Sequence, residues 1–221
     1  VTGVQTCALP ISAAEDFSEE KRMTHSLYEP YQLGDLRLAN RIVMAPLTRS
    51  RANAQLEPTD MAVTYYGQRA TAGLIITEAS QVCPEGQGYV STPGIYSAGQ
   101  IAGWRRVTDA VHAAGGKICI QLWHVGRISH RFFQPGHAAP VAPSAIAAKA
   151  KVFTPDGLED CSAPRALTAD EITGLIAVYR QAARNAQQAG FDMIELHGAN
   201  GYLIDQFLRD QDRKSTRLNS S

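Results

Sequence analysis

Short β-branched runs alternate with longer segments of helical periodicity along this chain, and that alternation constrains the fold more than any other feature. The runs are brief and mostly apolar, as is typical of strands buried on both faces of a parallel sheet. They cover residues 41–45, 74–77, 117–122 and 193–197. The order β-α-β-α-β-α-β therefore predicts an α/β fold in which helices connect parallel strands.

Three helices are predicted between the runs, over residues 59–70, 100–114 and 168–189. The second and third begin with capping boxes, in which a hydroxyl side chain precedes a Gln or Glu by three positions. These boxes are Ser97 with Gln100 and Thr168 with Glu171. The helices are expected to end at glycines, at Gly73, Gly115 and Gly190. The third helix carries an apolar stripe of Ile172, Leu175, Ile176, Tyr179 and Ala183.

An open doubly wound sheet and a (β/α)8 TIM barrel share this order of elements. A dinucleotide-binding open sheet would carry G-x-G-x-x-G after its first strand, whereas Pro46-Leu47-Thr48-Arg49 follows here. The TIM barrel is therefore favoured. A complete barrel takes about 250 residues, so the strands predicted in these 221 residues correspond to about the first four βα units.

Two further segments have a predicted place in this barrel. Residues 31–39 indicate a short hairpin around Gly34 and Asp35, which we expect to plug the barrel floor. Residues 129–164 are rich in proline and too long for an ordinary connection, so they are predicted to be functional or to form a lid over an active site.

Both ends of the chain differ in character from the periodic segments between them. Residues 1–12 and about 211–221 resemble translated adapter or vector sequence. We expect residues 1–22 to be a non-native or disordered leader and residues 211–221 to be a non-native tail. A natural start at Met23 would leave residues 23–210 as the N-terminal half of the barrel. Genuine flexible termini are the alternative.

Charge and cysteine content exclude several classes of partner. Lys plus Arg and Asp plus Glu both number 21, so no net field would gather nucleic acid or an anionic membrane. No apolar run reaches the roughly 18 residues that span a bilayer. The cysteines are too widely spaced for a disulfide framework or a zinc site. We expect a cytoplasmic monomer or homodimer whose partner is a small molecule.

The active site of a TIM barrel lies at the carboxyl ends of its strands, so the polar residues that follow each run are the candidates. Taken singly, each has an ordinary structural explanation. Thr48 suits a helix cap, Gln121 a buried polar group, and Tyr202 a packing residue. His197 suits a satisfied core histidine or a metal ligand.

Together, four segments resemble those of Old Yellow Enzyme-type alkene reductases: NRIVMAPLTRSRA, AGLIITEASQV, ICIQLWHVGRISH and FDMIELHGANGYLIDQFLRD. The likeness covers most of residues 27–210. It implies an FMN-bearing barrel that passes hydride from NADPH or NADH through FMN to activated carbon–carbon double bonds. Enones, nitroalkenes and related electrophiles are the substrates that it implies.

The resemblance assigns the substrate side of the site largely to the turn after the fourth strand. His197 and Asn200 match the pair that holds a carbonyl or nitro oxygen, where donors would stabilise the charge that develops during hydride delivery. Tyr202 matches the tyrosine that protonates the α-carbon. Trp123 and Tyr89 resemble residues that line the substrate pocket.

The cofactor side is implied in the same way. The backbone at Pro46 and Leu47, the Thr48 hydroxyl, Ala79 and the Gln121 amide match flavin contacts. An amide offers both a donor and an acceptor to the pyrimidine edge of the ring. A hydroxyl near the C4 carbonyl would tune the redox potential.

Two alternatives to this function stay open. One is a 2,4-dienoyl-CoA reductase-like branch, which adds an iron–sulfur cluster and further domains after the barrel. The other is an inactive truncated half barrel, in which the two unpaired edges of the sheet favour self-association. Whichever function applies, we expect Arg49, Arg51 and Glu78 to be ion-pair or capping groups at the rim. The cysteines are expected to be packing residues.

Overall fold

The computed structural model describes residues 26–209. The leader expected over residues 1–22, the start expected at Met23 and the tail expected over residues 211–221 lie outside the described residues.

The helices are α1 (Asp60–Gly67), α2 (Ala98–Ala113), α3 (Ala169–Gln188) and α4 (Leu203–Leu208). The strands are β1 (Tyr31–Leu33), β2 (Leu36–Leu38), β3 (Val43–Met44), β4 (Leu74–Ile76), β5 (Ser80–Gln81), β6 (Ile118–Trp123), β7 (Val141–Ala142), β8 (Lys151–Thr154), β9 (Gly157–Asp160), β10 (Arg165–Ala166) and β11 (Met193–Leu196). Single 3-10 turns cover Ser26–Tyr28, Pro84–Gly86, Arg131–Phe133 and Pro135–His137.

The main sheet is parallel, with strands in the order β11, β6, β4 and β3, and β5 pairs with β6 beyond the end of β4. Helices α1, α2 and α3 each connect one of its strands to the next, as in successive βαβ units. Strand β6 is the centre of the sheet and is buried along its whole length. The predicted order of strands and helices is thus observed.

The two outer strands differ from the prediction, because they are not buried on both faces. Val43 of β3 is 48% exposed, and Leu196 of β11 is 55% exposed. Each strand has a neighbour on one side only among residues 26–209, so one edge and part of each face meet solvent. The prediction of burial on both faces holds for the inner strands and is wrong for these two.

The main core lies between the sheet and helices α1 to α3. Trp104, Val107 and Val111 of α2 are fully buried and pack against Ile118 and Ile120 of β6. Both predicted capping boxes are present, at Ser97 with Gln100 and at Thr168 with Glu171. The stripe on α3 is corrected at one position, because Ile176 is 58% exposed and faces away from this core.

Helix α1 ends earlier than predicted, at Gly67 rather than near Ala70. After it, backbone N–H groups bond to carbonyls three residues back, as Arg69 does to Tyr66, so the chain tightens into turns. Gly73 does not stop the helix. It lies instead against Asn40, whose side chain accepts a hydrogen bond of 2.8 Å from the Gly73 N–H.

The predicted hairpin is observed. Strands β1 and β2 are antiparallel around Gly34, which has a φ of 55°. Leu38 is 3% exposed and packs with Leu74 and Cys119, near the amino ends of β4 and β6. The hairpin therefore lies at the end of the sheet opposite the strand ends that carry the candidate site, and its role as a plug of the barrel floor stays a prediction.

Residues 129–164 form an ordered segment with its own strands. Phe133, Val152 and Cys161 make a small apolar cluster there, and β8 pairs with β9 as a hairpin. The Ser129 hydroxyl donates to the Gln87 carbonyl at 2.7 Å, which fixes the segment beside the Tyr89 loop. Its role as a lid stays a prediction.

No helix between residues 26 and 209 combines the length and the apolar character that crossing a membrane requires.

The contact between Gly73 and Asn40 gives a test of the fold. A Cβ at Gly73 would lie 2.0 Å from the Asn40 backbone oxygen, whereas a Cβ at Gly174 in α3 would meet nothing within 4 Å. We expect Gly73→Ala to lower the free energy of unfolding by roughly 2 kcal/mol or more, because backbone atoms must move. Gly174→Ala is the control and should raise it by up to about 1 kcal/mol. Urea denaturation measures both, and equal stabilities would contradict the described contact.

Candidate functional site

The carboxyl ends of β4, β6 and β11 meet at one edge of the sheet. The His197 N–H donates to the Leu122 carbonyl at 2.9 Å, and the Val82 N–H donates to the Trp123 carbonyl at 3.1 Å. Beyond the strand, the Leu203 N–H donates to the His124 carbonyl at 3.0 Å. These backbone bonds fix the turn after β11 and the loop after β4 to the end of β6.

Four ring side chains form an aromatic group at this edge, made of Tyr89, Trp123, His197 and Tyr202. The Trp123 ring is stacked on Tyr89 at 5.6 Å and on His197 at 6.1 Å between centroids. Tyr202 stands edge-on to Trp123 and to His197, at 4.9 Å from each. The sequence analysis predicted all four as site residues, and the fold brings them into contact.

Tyr202 is a neutral phenol in this environment. Its hydroxyl forms a hydrogen bond of 3.0 Å with the Tyr89 hydroxyl, and either oxygen can donate. Burial, and then the contact with Tyr89, raise the pKa of Tyr202 above its ordinary value. The group therefore carries a proton at neutral pH, which a general acid must have available.

His197 is neutral for a related reason. Burial lowers the pKa of His197, and this effect outweighs the opposing charges of Glu195 and Asp205. Its Nδ1 accepts a long hydrogen bond of 3.4 Å from the Ala199 N–H. Because Nδ1 accepts, the proton of the neutral ring lies on Nε2, which can donate to a substrate oxygen.

Asn200 lies on the same turn and is exposed. It has a φ of 58°, a left-handed conformation that asparagine tolerates better than most residues. Two side chains of α4 stabilise this turn. The Gly201 N–H donates to Asp205 and the Gln206 amide donates to the Gly201 carbonyl, both at 2.7 Å. Asn200 is thus placed by a tight, well-bonded turn three residues after His197.

The candidate cofactor residues lie on three strand ends. Ala79 is 4% exposed and packs in the same cluster as Trp123. Gln121 is 7% exposed. Pro46, Leu47 and Thr48 follow the edge strand β3, and Leu47 is 57% exposed. Beyond that edge, β3 has no strand partner among residues 26–209.

Glu195 is a site residue that the sequence analysis missed. It lies opposite Gln121 in the register of β6 and β11, and its carboxylate accepts a hydrogen bond of 2.5 Å from the Gln121 amide nitrogen. The signal was present in the sequence, because a glutamate alternates with apolar residues within the fourth run. The pairing uses one of the two hydrogens of the Gln121 amide nitrogen, so the other hydrogen and the side-chain oxygen stay available to other partners.

Glu78 anchors the loop after β3 to the strand end of β4. It is 4% exposed, and its carboxylate accepts a hydrogen bond of 2.8 Å from the Arg49 N–H, next to Thr48. The Arg49 guanidinium lies over the Tyr65 ring at 4.7 Å. Glu78 therefore meets the expectation of a capping group at the rim, because its carboxylate accepts from the backbone N–H of Arg49.

The residues at this edge fit a flat heteroaromatic ring better than a metal ion. No group of His, Cys, Asp and Glu within the described part of the chain could hold a metal. A hydroxyl at Thr48, an amide at Gln121 and the small side chain of Ala79 suit the alternating donors and acceptors of a flavin. The Trp123 Nε1 is also buried and has no hydrogen-bond partner between residues 26 and 209.

Parallel βαβ units with polar and aromatic side chains gathered at the strand ends define an α/β barrel-type protein with a small-molecule site. The profile of the NADH:flavin oxidoreductase / NADH oxidase family matches residues 26–216. The chain belongs to that family, and the predicted resemblance to Old Yellow Enzymes is confirmed.

Relatives agree with this assignment. The chain is 46% identical over 196 residues to 12-oxophytodienoate reductase 7 of Oryza sativa subsp. japonica, covering 87% of this chain and 50% of that protein. Among solved structures, morphinone reductase matches with a TM-score of 0.83 at 51% identity, covering 87% of this chain and 53% of its own. An old yellow enzyme homologue from Zymomonas mobilis matches at 0.82 and 47%, covering 86% and 53%. The barrel prediction is confirmed, and the chain spans about half the length of these relatives.

The burial of Glu78 predicts a pH dependence of stability. Burial raises the pKa of Glu78 from 4.5 to about 7, against the lowering effect of the Arg49 and Ser50 N–H groups. The folded protein then binds this proton more tightly than the unfolded chain, so the free energy of unfolding falls as pH rises from about 4.5 to about 7. At about 1.4 kcal/mol per pKa unit, the contribution is roughly 3 kcal/mol.

Glu78→Gln should remove this fall, because its amide oxygen still accepts from Arg49 and does not titrate in this range. Urea unfolding between about pH 4.5 and about pH 7.5 measures the slope. Glu29→Gln, at an exposed position, is the control and should leave the slope unchanged. A slope that persists in Glu78→Gln would contradict the assignment.

Proposed function

We propose that the protein to which this half barrel belongs is an FMN-dependent ene-reductase, which takes hydride from NADPH or NADH and adds hydrogen across activated carbon–carbon double bonds. The observation that carries the proposal is the aromatic group. A neutral imidazole and a protonated phenol lie with ring centroids 4.9 Å apart, and both rings contact the indole of Trp123. That arrangement supplies a hydrogen-bond donor and an acid to one bound molecule.

In the proposed reaction, His197 and Asn200 bind the substrate carbonyl or nitro oxygen. The Nε2–H of His197 and the Asn200 amide draw electron density through that oxygen and stabilise the negative charge that develops on it. A neutral donor suffices, and the lowered pKa of His197 keeps the ring neutral. Both groups come from one turn, so they hold the oxygen without reorganising.

Tyr202 then donates its proton to the α-carbon. The hydrogen bond with Tyr89 has two possible directions, and Tyr89 can donate to the Tyr202 oxygen as that proton leaves. Charge on the Tyr202 oxygen is thereby stabilised within the aromatic group. The walls of Tyr89 and Trp123 restrict how a flat substrate can lie.

On the cofactor side, FMN supplies the hydride chemistry when bound. We place it at the backbone of Pro46 and Leu47, the Thr48 hydroxyl, Ala79 and the Gln121 amide. Glu195 orients Gln121, and Glu78 holds the loop that carries Thr48. The morphinone reductase related to this chain has been solved with tetrahydroNAD, which supports a nicotinamide as reductant here.

The names of relatives support the proposed substrate class. 12-Oxophytodienoate reductases and morphinone reductase are among the matches, and their names support an enone substrate for this protein. Enones, nitroalkenes and related electrophiles are proposed as substrates. Four points stay predictions. They are the cytoplasmic location, the monomeric or homodimeric state, the dienoyl-CoA reductase-like branch and the inactive half barrel.

The general-acid role has a direct test in the protein that includes the remaining strands. Tyr202→Phe should slow reduction of cyclohexenone about 100-fold or more, since positioned acids contribute about 10²- to 10⁴-fold. Bleaching of the flavin by NADPH should change little, because that step takes no proton from Tyr202. Stopped-flow absorbance separates the two steps.

Tyr28→Phe is the matched control, because Tyr28 is 70% exposed and takes no part in the aromatic group. If Tyr202→Phe reduced cyclohexenone as fast as this control, the proposed acid would be wrong. If neither the original protein nor the two variants retained yellow flavin, the proposed dependence on FMN would be wrong instead.

A further inference from the structure

Gln206 is a buried polar residue of α4 to which the proposed reaction assigns no role. It is 1% exposed, although glutamine lies mostly on protein surfaces. Helix α4 begins directly after Tyr202, so Gln206 lies about one helical turn beyond that residue. A buried amide at this place is expected to use its hydrogen-bonding groups on neighbouring parts of the chain.

The Gln206 side chain joins two loops at the site. Its amide nitrogen donates to the Gly201 carbonyl at 2.7 Å and to the Val125 carbonyl at 3.0 Å. Its oxygen accepts from the Arg127 N–H at 3.3 Å. The side chain therefore ties the turn after β11 to the loop after β6 with both of its amide hydrogens and its oxygen.

The loop after β6 leaves one place for this amide. Gly126 has a φ of 62°, and a Cβ on Gly126 would overlap the Gln206 side chain. Glycine is the residue that combines a left-handed backbone with so close an approach. The loop and the Gln206 side chain are thus fitted to each other.

Gly201 is the point at which the turn after β11 would bend most easily. Asn200 and Gly201 both have left-handed backbones, with φ of 58° and 79°. Asp205 accepts from the peptide N–H before Gly201, and Gln206 donates to the peptide carbonyl after it. Asn200 and Tyr202 attach to the outer ends of these two peptide groups. The two hydrogen bonds therefore fix where the Asn200 amide lies relative to the Tyr202 hydroxyl.

We propose that Gln206 is a positioning residue for the reduction of the substrate, which holds Tyr202 at a fixed place relative to Asn200. This inference rests on the proposed function, in which Asn200 binds the substrate oxygen and Tyr202 protonates the α-carbon. The bonds of the substrate set the distance between those two atoms, so the amide and the phenol must match it. A loosened Gly201 peptide loses that match while Tyr202 keeps its proton.

Gln206→Met tests the proposal in the protein that includes the remaining strands, because methionine fills similar space without the three hydrogen bonds. Gln100→Met is the matched control. Gln100 is also 1% exposed, accepts from the Tyr96 and Ser97 N–H groups and donates to the Gln55 carbonyl. None of these bonds reaches the turn after β11, so the control removes an equivalent buried amide elsewhere.

The measurement is the single-turnover rate at which the reduced enzyme converts cyclohexenone, followed by stopped-flow absorbance. Gln206→Met should lower this rate about 10- to 100-fold, since a misplacement of about 1 Å can cost about 10²-fold. Gln100→Met should leave it unchanged. Both variants should keep yellow flavin and lose stability to urea to a similar degree, so stability alone would not separate them. Equal rates in the two variants would overturn the proposal.

Gln206→Glu keeps the question open to test if Gln206→Met does not fold. Its carboxylate cannot donate to the Gly201 carbonyl, whereas the protonated acid can. Burial raises the pKa of such a carboxyl, so the rate relative to Gln100→Glu should recover as the pH falls from about 9 to about 5. A constant ratio over that range would overturn the proposal. An original protein that left cyclohexenone unreduced would overturn the ene-reductase function as well, which distinguishes the two failures.

Discussion

The backbone hydrogen bonds of β6 are the interaction on which the rest of this structure depends. This strand pairs with β4 and β5 on one side and with β11 on the other, and all six of its residues are buried. Because successive side chains alternate, one face of β6 supplies Gln121 and Trp123 to the candidate site and the other supplies Ile120 and Leu122 to the core. A shift of register by one residue would exchange the two sets.

The outer strands of the sheet are less buried than β6. Strands β3 and β11 each have one paired edge among the described residues, and their apolar side chains are partly exposed. A barrel of this class closes through eight strands, and the chain spans about half the length of its relatives. The candidate residues Pro46 to Thr48, which follow β3, lie at one of these edges, whereas the aromatic group is assembled within the half that is described.

Much of the local structure could be predicted from the residues. Both capping boxes were identified because their hydrogen bonds join residues three positions apart, and the same holds for the turn at Gly34. The end of α1 was placed too late, because Gly73 does not stop the helix but docks on Asn40, 33 residues away, while the helix itself ends at Gly67. Ile176 was assigned to the buried stripe since periodicity shows that a helix has an apolar face but not where its neighbours end.

For the candidate site, the sequence by itself determined which residues follow each strand and so which side chains gather at one edge. It did not reveal Glu195 as the partner of Gln121, since that contact depends on the register of β6 and β11. The hydrogen bond of Tyr89 with Tyr202 joins residues 113 positions apart. Local periodicity and capping act over a few residues and are readable from the chain, whereas contacts of that span exist only once the strands have paired, and so only the tertiary structure decided them.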